Sequence, residues 1–154
     1  MSRFKLVALG GTFDILHKGH LVLLQEAFSI SSKVIIGLTS DELAEKKGKK
    51  LLHNYSKRLK LLVTAIKENF PHSKYEISKL ENDFGPAVLE NDVEALVVSE
   101  ETVEQGKALN ELRRQRHLSP VCIVRVPMVL AKDGKRISTT RIKNSEIDTE
   151  GNLY

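Results

Sequence analysis

Apolar residues in this chain gather in short runs, and between the runs they recur every three or four positions. KLVALG (Lys5–Gly10), KVIIGL (Lys33–Leu38) and EALVVS (Glu94–Ser99) read as strands, joined by Tyr75–Leu80 and Val121–Val129. Continuous apolar runs of this kind suit parallel strands covered on both faces. The helical spacing predicts a helix from about Gly19 to Ser29, with Leu21, Leu24, Ala27 and Phe28 on one face. A longer one runs from Ser56 to about Asn69, carrying Leu59, Leu62, Val63 and Ile66 towards Phe70, and Pro71 stops it. A third covers Val103–Arg116 with Ala108, Leu109 and Leu112 inward. Thr39 or Ser40 can cap a helical turn at Asp41–Glu45, and a short last helix opens at Ser138 or Thr139. Strands alternating with helices predict an α/β fold: a doubly wound five-stranded parallel sheet flanked by helices, with right-handed crossovers. Residues 1–154 form one domain on this reading.

Composition narrows the picture only slightly. The chain has 154 residues, 41% of them hydrophobic and 29% charged, which describes an ordinary globule with a core of its own. No run reaches the roughly 20 apolar residues that cross a bilayer, and MSRFKLVALGG breaks at glycine before a signal sequence can form. Cytoplasm is the expectation. The single cysteine, Cys122, lies in an apolar run and is expected to be a buried thiol. A formal charge of +4 is partly local, in Lys46, Lys47, Lys49 and Lys50 and in Arg113, Arg114 and Arg116. The few aromatic residues are not interleaved with these cations, which argues against nucleic acid. Cations around a small polyanion fit better, and Lys46–Lys50 is expected to be a mobile loop.

Two runs carry the chemistry. GGTFDILHKGH (Gly10–His20) lies where the first strand hands over to the first helix. In an α/β sheet that junction binds phosphate, because backbone N–H groups and the helix dipole converge on it. No Gly-Lys-Ser/Thr follows, and the third glycine of a dinucleotide fingerprint is missing. His17 and His20 are then the expected phosphate ligands, donating charge-assisted bonds from one side of the helix start. Two histidines also suit zinc, but no further ligands lie nearby apart from Asp14. The second run, KRISTTRI (Lys135–Ile142), sets three hydroxyls among Lys135, Arg136 and Arg141 at another helix start. A parallel sheet would bring both runs to its carboxyl edge, where two anion seats fit a nucleoside triphosphate. Asp14 could serve as a general base or as a turn residue.

HKGH (His17–His20) and ISTTRI (Ile137–Ile142) resemble the two signatures of the HxGH nucleotidylyltransferase superfamily. DFGPA (Asp83–Ala87), VVSEET (Val97–Thr102), Gly106 and the Asn110–Arg114 segment are similar to the archaeal and eukaryotic type of phosphopantetheine adenylyltransferase. The resemblance implies a Rossmann-like fold and adenylyl transfer from ATP to 4′-phosphopantetheine in coenzyme A biosynthesis, without a covalent intermediate. ISTT also looks like the glycerol-3-phosphate cytidylyltransferase version, so transfer to another small phosphate is the alternative. By position, the resemblance implies catalytic roles for His20, Thr12 and one lysine of the Lys46–Lys50 run, with Lys47 favoured. It implies nucleotide binding by Gly10, Gly11, Thr12, Phe13, His17, His20, Ser138, Thr139, Thr140, Arg141 and Glu100. Arg113 or Arg114 would face phosphate, and Tyr55 and Arg58 would border the acceptor. Mg²⁺ is expected to arrive with ATP, held by phosphates and water. The chain departs from the bacterial pattern at Ser99–Glu101, so no hexamer is carried over; a monomer or small homo-oligomer is expected.

Overall fold

The computed structural model describes residues 3–85, 92–100 and 102–154. In chain order the elements are β1 (Phe4–Gly11), α1 (Lys18–Ile30), β2 (Ser31–Thr39), α2 (Asp41–Lys46) and α3 (Tyr55–Asn69). They continue as β3 (Tyr75–Leu80), β4 (Ala95–Val98), α4 (Val103–Gln115), β5 (Cys122–Arg125) and α5 (Thr139–Lys143). The five strands form one sheet in the order β3-β2-β1-β4-β5, with every adjacent pair parallel. The chain builds outward from β1 to β3, then returns to place β4 on the other side of β1. The crevice at the carboxyl ends of β1 and β4 is therefore the topological switch point, where such sheets bind ligands.

Covered faces explain the continuous apolar runs. Val7, Leu9, Val34, Ile36, Ala95 and Val97 point to one side, where they pack with Leu24 and Ala27 of α1 and with Leu62 and Ile66 of α3. Ala8, Ile35, Leu96 and Val98 point to the other side and meet Leu109 of α4. Alternate residues of a strand face opposite ways, so only a strand buried on both sides needs apolar residues at every position. Local chemistry sets the helix starts. Ser40 Oγ accepts the Leu43 N–H at 3.0 Å, and Asn54 Oδ1 accepts the Lys57 N–H at 2.9 Å.

Three expectations are corrected. The last strand ends at Arg125 rather than Val129, because β4 offers pairing only over Ala95–Val98. Beyond the final rung, from the Val126 N–H to the Val98 carbonyl at 2.8 Å, Pro127 has no N–H to donate. Cys122 is exposed, since β5 is an edge strand. On α4 the buried positions are Gly106, Leu109 and Arg113, while Ala108 is exposed. A Cβ at Gly106 would meet Ile123 Cδ1 at 2.9 Å, so this glycine lets α4 close on β5. Part of the expected DFGPA loop, residues 86–91, lies outside the described residues, as does Glu101 of VVSEET.

Candidate functional site: two signatures on one cleft

The turn after β1 is held from beneath by a buried guanidinium. Arg58, fully buried, donates through Nη1 to the carbonyls of Thr12 at 2.9 Å and Thr39 at 2.7 Å. Its Nε donates to the His53 carbonyl at 3.1 Å, and Nη2 pairs with Asp41 at 2.7 Å. It is thus not at the cleft surface as an acceptor-lining group; it fixes the turn on which Thr12 stands. Above it Phe13 takes a positive φ of 50° while buried, a conformation that bulky side chains adopt only where surrounding contacts enforce it. Its ring lies 4.9 Å from that of His20, centroid to centroid, and a Cβ on Gly11 would come within 2.9 Å of it.

Asp14 is a structural tie. Its carboxylate accepts the N–H groups of Leu52 at 2.8 Å and His53 at 2.9 Å, and Lys143 Nζ lies 2.6 Å away. Burial alone would raise its pKa, but the bonds from Leu52, Lys143 and His53 outweigh that and hold it below the usual carboxylate value. With both oxygens occupied and its proton affinity lowered, it is the turn residue of the two alternatives.

The histidines share one design. His17 caps α1 by accepting the Gly19 N–H at Nδ1, 3.1 Å, and His20 Nδ1 accepts the His17 N–H at 3.3 Å. Both Nδ1 atoms are acceptors, so each neutral ring carries its proton on Nε2. The rings stack with 3.9 Å between centroids. Burial lowers the His17 pKa to about 4 and, with the charges of His17 and Lys49 adding, that of His20 to about 3. The expected charge-assisted donors are therefore neutral donors in the free protein. Gly19 is required by the cap: a Cβ there would meet His17 Cε1 at 2.9 Å.

Against this edge stands the second signature. Ser138 caps α5, its Oγ accepting the Arg141 N–H at 3.2 Å, and Thr139 Oγ1 reaches the Ile15 carbonyl at 3.5 Å. The two runs, more than a hundred positions apart, thus meet on one cleft of about 590 Å³. It is lined by Gly10, Gly11, Thr12, Phe13, His17 and His20 on one side and by Ser138, Thr139, Thr140 and Lys143 on the other. Ser99, Thr102 and the segment Val126–Val129 close its end. A second, smaller cavity of about 100 Å³ opens across β1 and shares Gly10, Gly11, Thr12, Lys49 and Thr102 with the cleft.

The cations differ from expectation. Gly48, at φ 74°, turns the chain after α2, so that Lys47 and Lys49 diverge. Lys49 Nζ donates to Thr12 Oγ1 at 2.8 Å, whereas Lys47 pairs with Asp83 at 2.5 Å and lines only the second cavity. Burial first, then Lys47, Arg58 and Lys143, lowers the pKa of Lys49 below its ordinary value. Arg141 does not line the cleft: its guanidinium is engaged by Asp133, Glu146 and the carbonyl of Arg136, a residue that does line it, which buttresses the loop before α5. Glu100 pairs with Arg125, again outside the lining. Arg113 is buried and donates to the Ser119 carbonyl at 2.8 Å, and Arg114 pairs with Glu111; neither reaches the cleft. Lys143, which the sequence reading missed, joins instead: it bonds Asp14 and the Lys50 carbonyl at 2.7 Å from the cleft wall. Its spacing of four from Thr139, one turn along the helix, was the available signal.

A switch-point cleft carrying an HxGH turn and an opposed hydroxyl-rich helix start defines a nucleotidyltransferase-like site, and the comparisons agree. The chain belongs to the cytidylyltransferase-like family, whose model matches residues 8–145. It is similar to the phosphopantetheine adenylyltransferase of Methanosarcina barkeri, with 44% identity over 150 residues, covering 96% of this chain and 91% of that protein. The protein of that name from Methanothermobacter thermautotrophicus is 40% identical, over 98% of this chain and 90% of its own length. Among solved structures, an Archaeoglobus fulgidus protein of unknown function superposes with a TM-score of 0.72 at 32% identity, covering 80% of this chain and 89% of that one. A putative nicotinate-nucleotide adenylyltransferase from Vibrio parahaemolyticus, 14% identical over 96% of this chain and 89% of that one, has a TM-score of 0.58 and shares the fold. The resemblance read from the two signatures and the middle segment therefore holds.

Proposed function

We propose that this chain transfers the adenylyl group of ATP to 4′-phosphopantetheine, giving dephospho-coenzyme A and pyrophosphate. The observation that carries the proposal is the meeting of both signatures on one cleft, in a chain similar over nearly its whole length to archaeal proteins of that name. An oxygen of the acceptor phosphate attacks the α-phosphorus; the bond from that phosphorus to the bridging oxygen of the β-phosphate breaks, and the electron pair leaves with pyrophosphate. The attacking oxygen is already anionic near neutral pH, so no enzyme nucleophile or base is needed, and positioning and charge neutralisation supply the rate.

Each residue then has a task that its geometry supports. The Nε2–H groups of His17 and His20 donate to phosphate oxygens, His20 at the α-phosphate where charge develops. Lys49 with Thr12, standing between the cleft and the second cavity, spans donor and acceptor phosphates. Thr139, Thr140 and Lys143 meet the outer phosphates, and Ser99, Thr102 and Val126–Val129 border the nucleoside. The acceptor approaches from the second cavity, opposite the departing pyrophosphate.

For Mg²⁺ the protein offers little. Among the described residues Asp14 is the sole carboxylate lining the cleft, and both its oxygens are engaged. No group of three or more metal-binding side chains occurs among the described residues. A cation accompanying ATP would be held by the phosphates and water, so no step here is routed through it. Among the described residues no helix is long and apolar enough to cross a membrane. On this reading the chain acts in the cytoplasm, as a monomer or small homo-oligomer. Solution mass measurement tests the assembly.

The experiment is a substrate panel. Purified protein is offered ATP or CTP with phosphopantetheine, glycerol-3-phosphate or nicotinamide mononucleotide, and pyrophosphate is measured. Turnover with ATP and phosphopantetheine is expected. Turnover only with CTP and a polyol phosphate, or none with any pair, would overturn the proposal.

A further inference from the structure

Lys47 and Asp83 form an ion pair at the second cavity that the reaction as described does not use. Lys47 is the C-cap of α2, its backbone N–H tied to the Leu43 carbonyl at 3.1 Å. Asp83 follows β3 in a turn ordered by Asn82, whose Oδ1 accepts the Phe84 N–H at 3.1 Å. Both ends of the pair are thus anchored, while the charged groups remain partly open to water. Among the described residues lining this cavity the charged ones are Lys47, Lys49 and Asp83. Lys49 is held on Thr12, so among the described lining residues Asp83 is the single negative charge and Lys47 the cation it restrains.

We infer that Lys47 and Asp83 are a latch at the acceptor entrance, opened by exchange of the Asp83 carboxylate for the phosphate of the incoming acceptor. This rests on the reading that the acceptor carries a phosphomonoester. A dianion entering beside Lys47 meets the Asp83 carboxylate, and the two repel. An exposed ion pair is weak and opens readily, whereas phosphate offers Lys47 a charge-assisted bond to a doubly charged group. A neutral, unphosphorylated acceptor offers Lys47 no such bond and leaves the pair closed. Asp83 therefore competes with the acceptor phosphate for Lys47, and Lys47 serves the acceptor and not the triphosphate.

The test compares Asp83→Asn, Lys47→Gln and the double variant, using ATP with 4′-phosphopantetheine and, separately, with unphosphorylated pantetheine as a competitor. In Asp83→Asn the acceptor KM should fall about threefold to fivefold, as expected for removing an exposed pair and a local repulsion. The Kd for ATP alone, measured by calorimetry, should not move. Pantetheine, which carries no phosphate to be repelled, should gain less than phosphopantetheine, so the preference for the phosphorylated acceptor should widen. Lys47→Gln should raise the acceptor KM about tenfold or more. In the Lys47→Gln background the Asp83 substitution should lose the part of its benefit that comes from freeing Lys47 and keep only the relief of direct repulsion. An acceptor KM that is unchanged or raised in Asp83→Asn, or a benefit undiminished without Lys47, would overturn the latch. Failure of the function itself looks different: wild-type protein would not turn over phosphopantetheine at all.

Discussion

The rings of His17 and His20 stack at 3.9 Å with both Nδ1 atoms taken by backbone N–H groups, so both Nε2–H donors are fixed before any ligand arrives. Preorganised donors aimed at developing charge act mainly in the transition state. His20→Ala should therefore lower kcat by roughly a hundredfold or more while changing the ATP Kd far less. Steady-state kinetics paired with calorimetry checks this. A variant with unaltered kcat and only a raised KM for ATP would make His20 a ground-state ligand.

The same pair predicts a pH dependence of folding. Both imidazoles titrate below the ordinary 6.5 in the folded protein, near 4 and near 3, so on acidification the unfolded chain takes up these protons first. Stability is full above pH 6.5 and falls as pH drops through the window down to these values, by at most about 1.4 kcal/mol per pH unit for each histidine. Thermal unfolding of the ligand-free protein across that window should show the slope. His17→Gln with His20→Gln should flatten it.

Lys49, on Thr12, should separate from its neighbours in the lysine run. Lys49→Met should reduce kcat about a hundredfold, because it removes the cation between the two reacting phosphates. Lys46, exposed and outside both cavities, should tolerate the same change within about twofold, since surface substitutions away from a site rarely exceed half a kcal/mol. Pyrophosphate release by the two variants decides it. Equal effects at both positions would reduce the run to general electrostatics.

Gly19→Ala should harm function even though alanine is the better helix former. A Cβ there would lie 2.9 Å from His17 Cε1 and 3.0 Å from Nδ1, so the ring must leave its cap and its stack. The intrinsic helix gain of up to about 1 kcal/mol cannot offset that at the site. The expected result is a raised ATP Kd with nearly unchanged circular dichroism.

Arg58→Met should destabilise the fold by about 3 kcal/mol, since the carbonyls of Thr12, Thr39 and His53 and the Asp41 carboxylate lose one shared donor. Arg58→Lys keeps the charge but cannot serve four acceptors, and should recover only part of the loss. Urea unfolding measures both. A cost within experimental error for Arg58→Met would mean the turn stands without its guanidinium.

Five strands, their alternation with helices and the two phosphate-type turns were legible in the sequence because each depends on local spacing: apolar runs, helical periodicity and capping residues. HxGH and ISTT were legible because a cap and a close backbone approach demand particular residue types at short separations. The fate of the cations was not. Lys49 rather than Lys47 reaches Thr12 because Gly48 turns the chain between them, and Arg141 is drawn away by Asp133 and Glu146. Arg58, Asp14 and Lys143 bond partners between 5 and 129 positions distant, and no local pattern encodes which of these a charged side chain will find. Cys122 and the short β5 depend likewise on β5 being an edge strand, a property of sheet order and not of the run itself. Spacing along the chain determined the elements and the hydroxyl and imidazole groups that meet on the cleft; the pairing of buried and long charged groups, set by three-dimensional proximity and desolvation, was decided only by the tertiary structure.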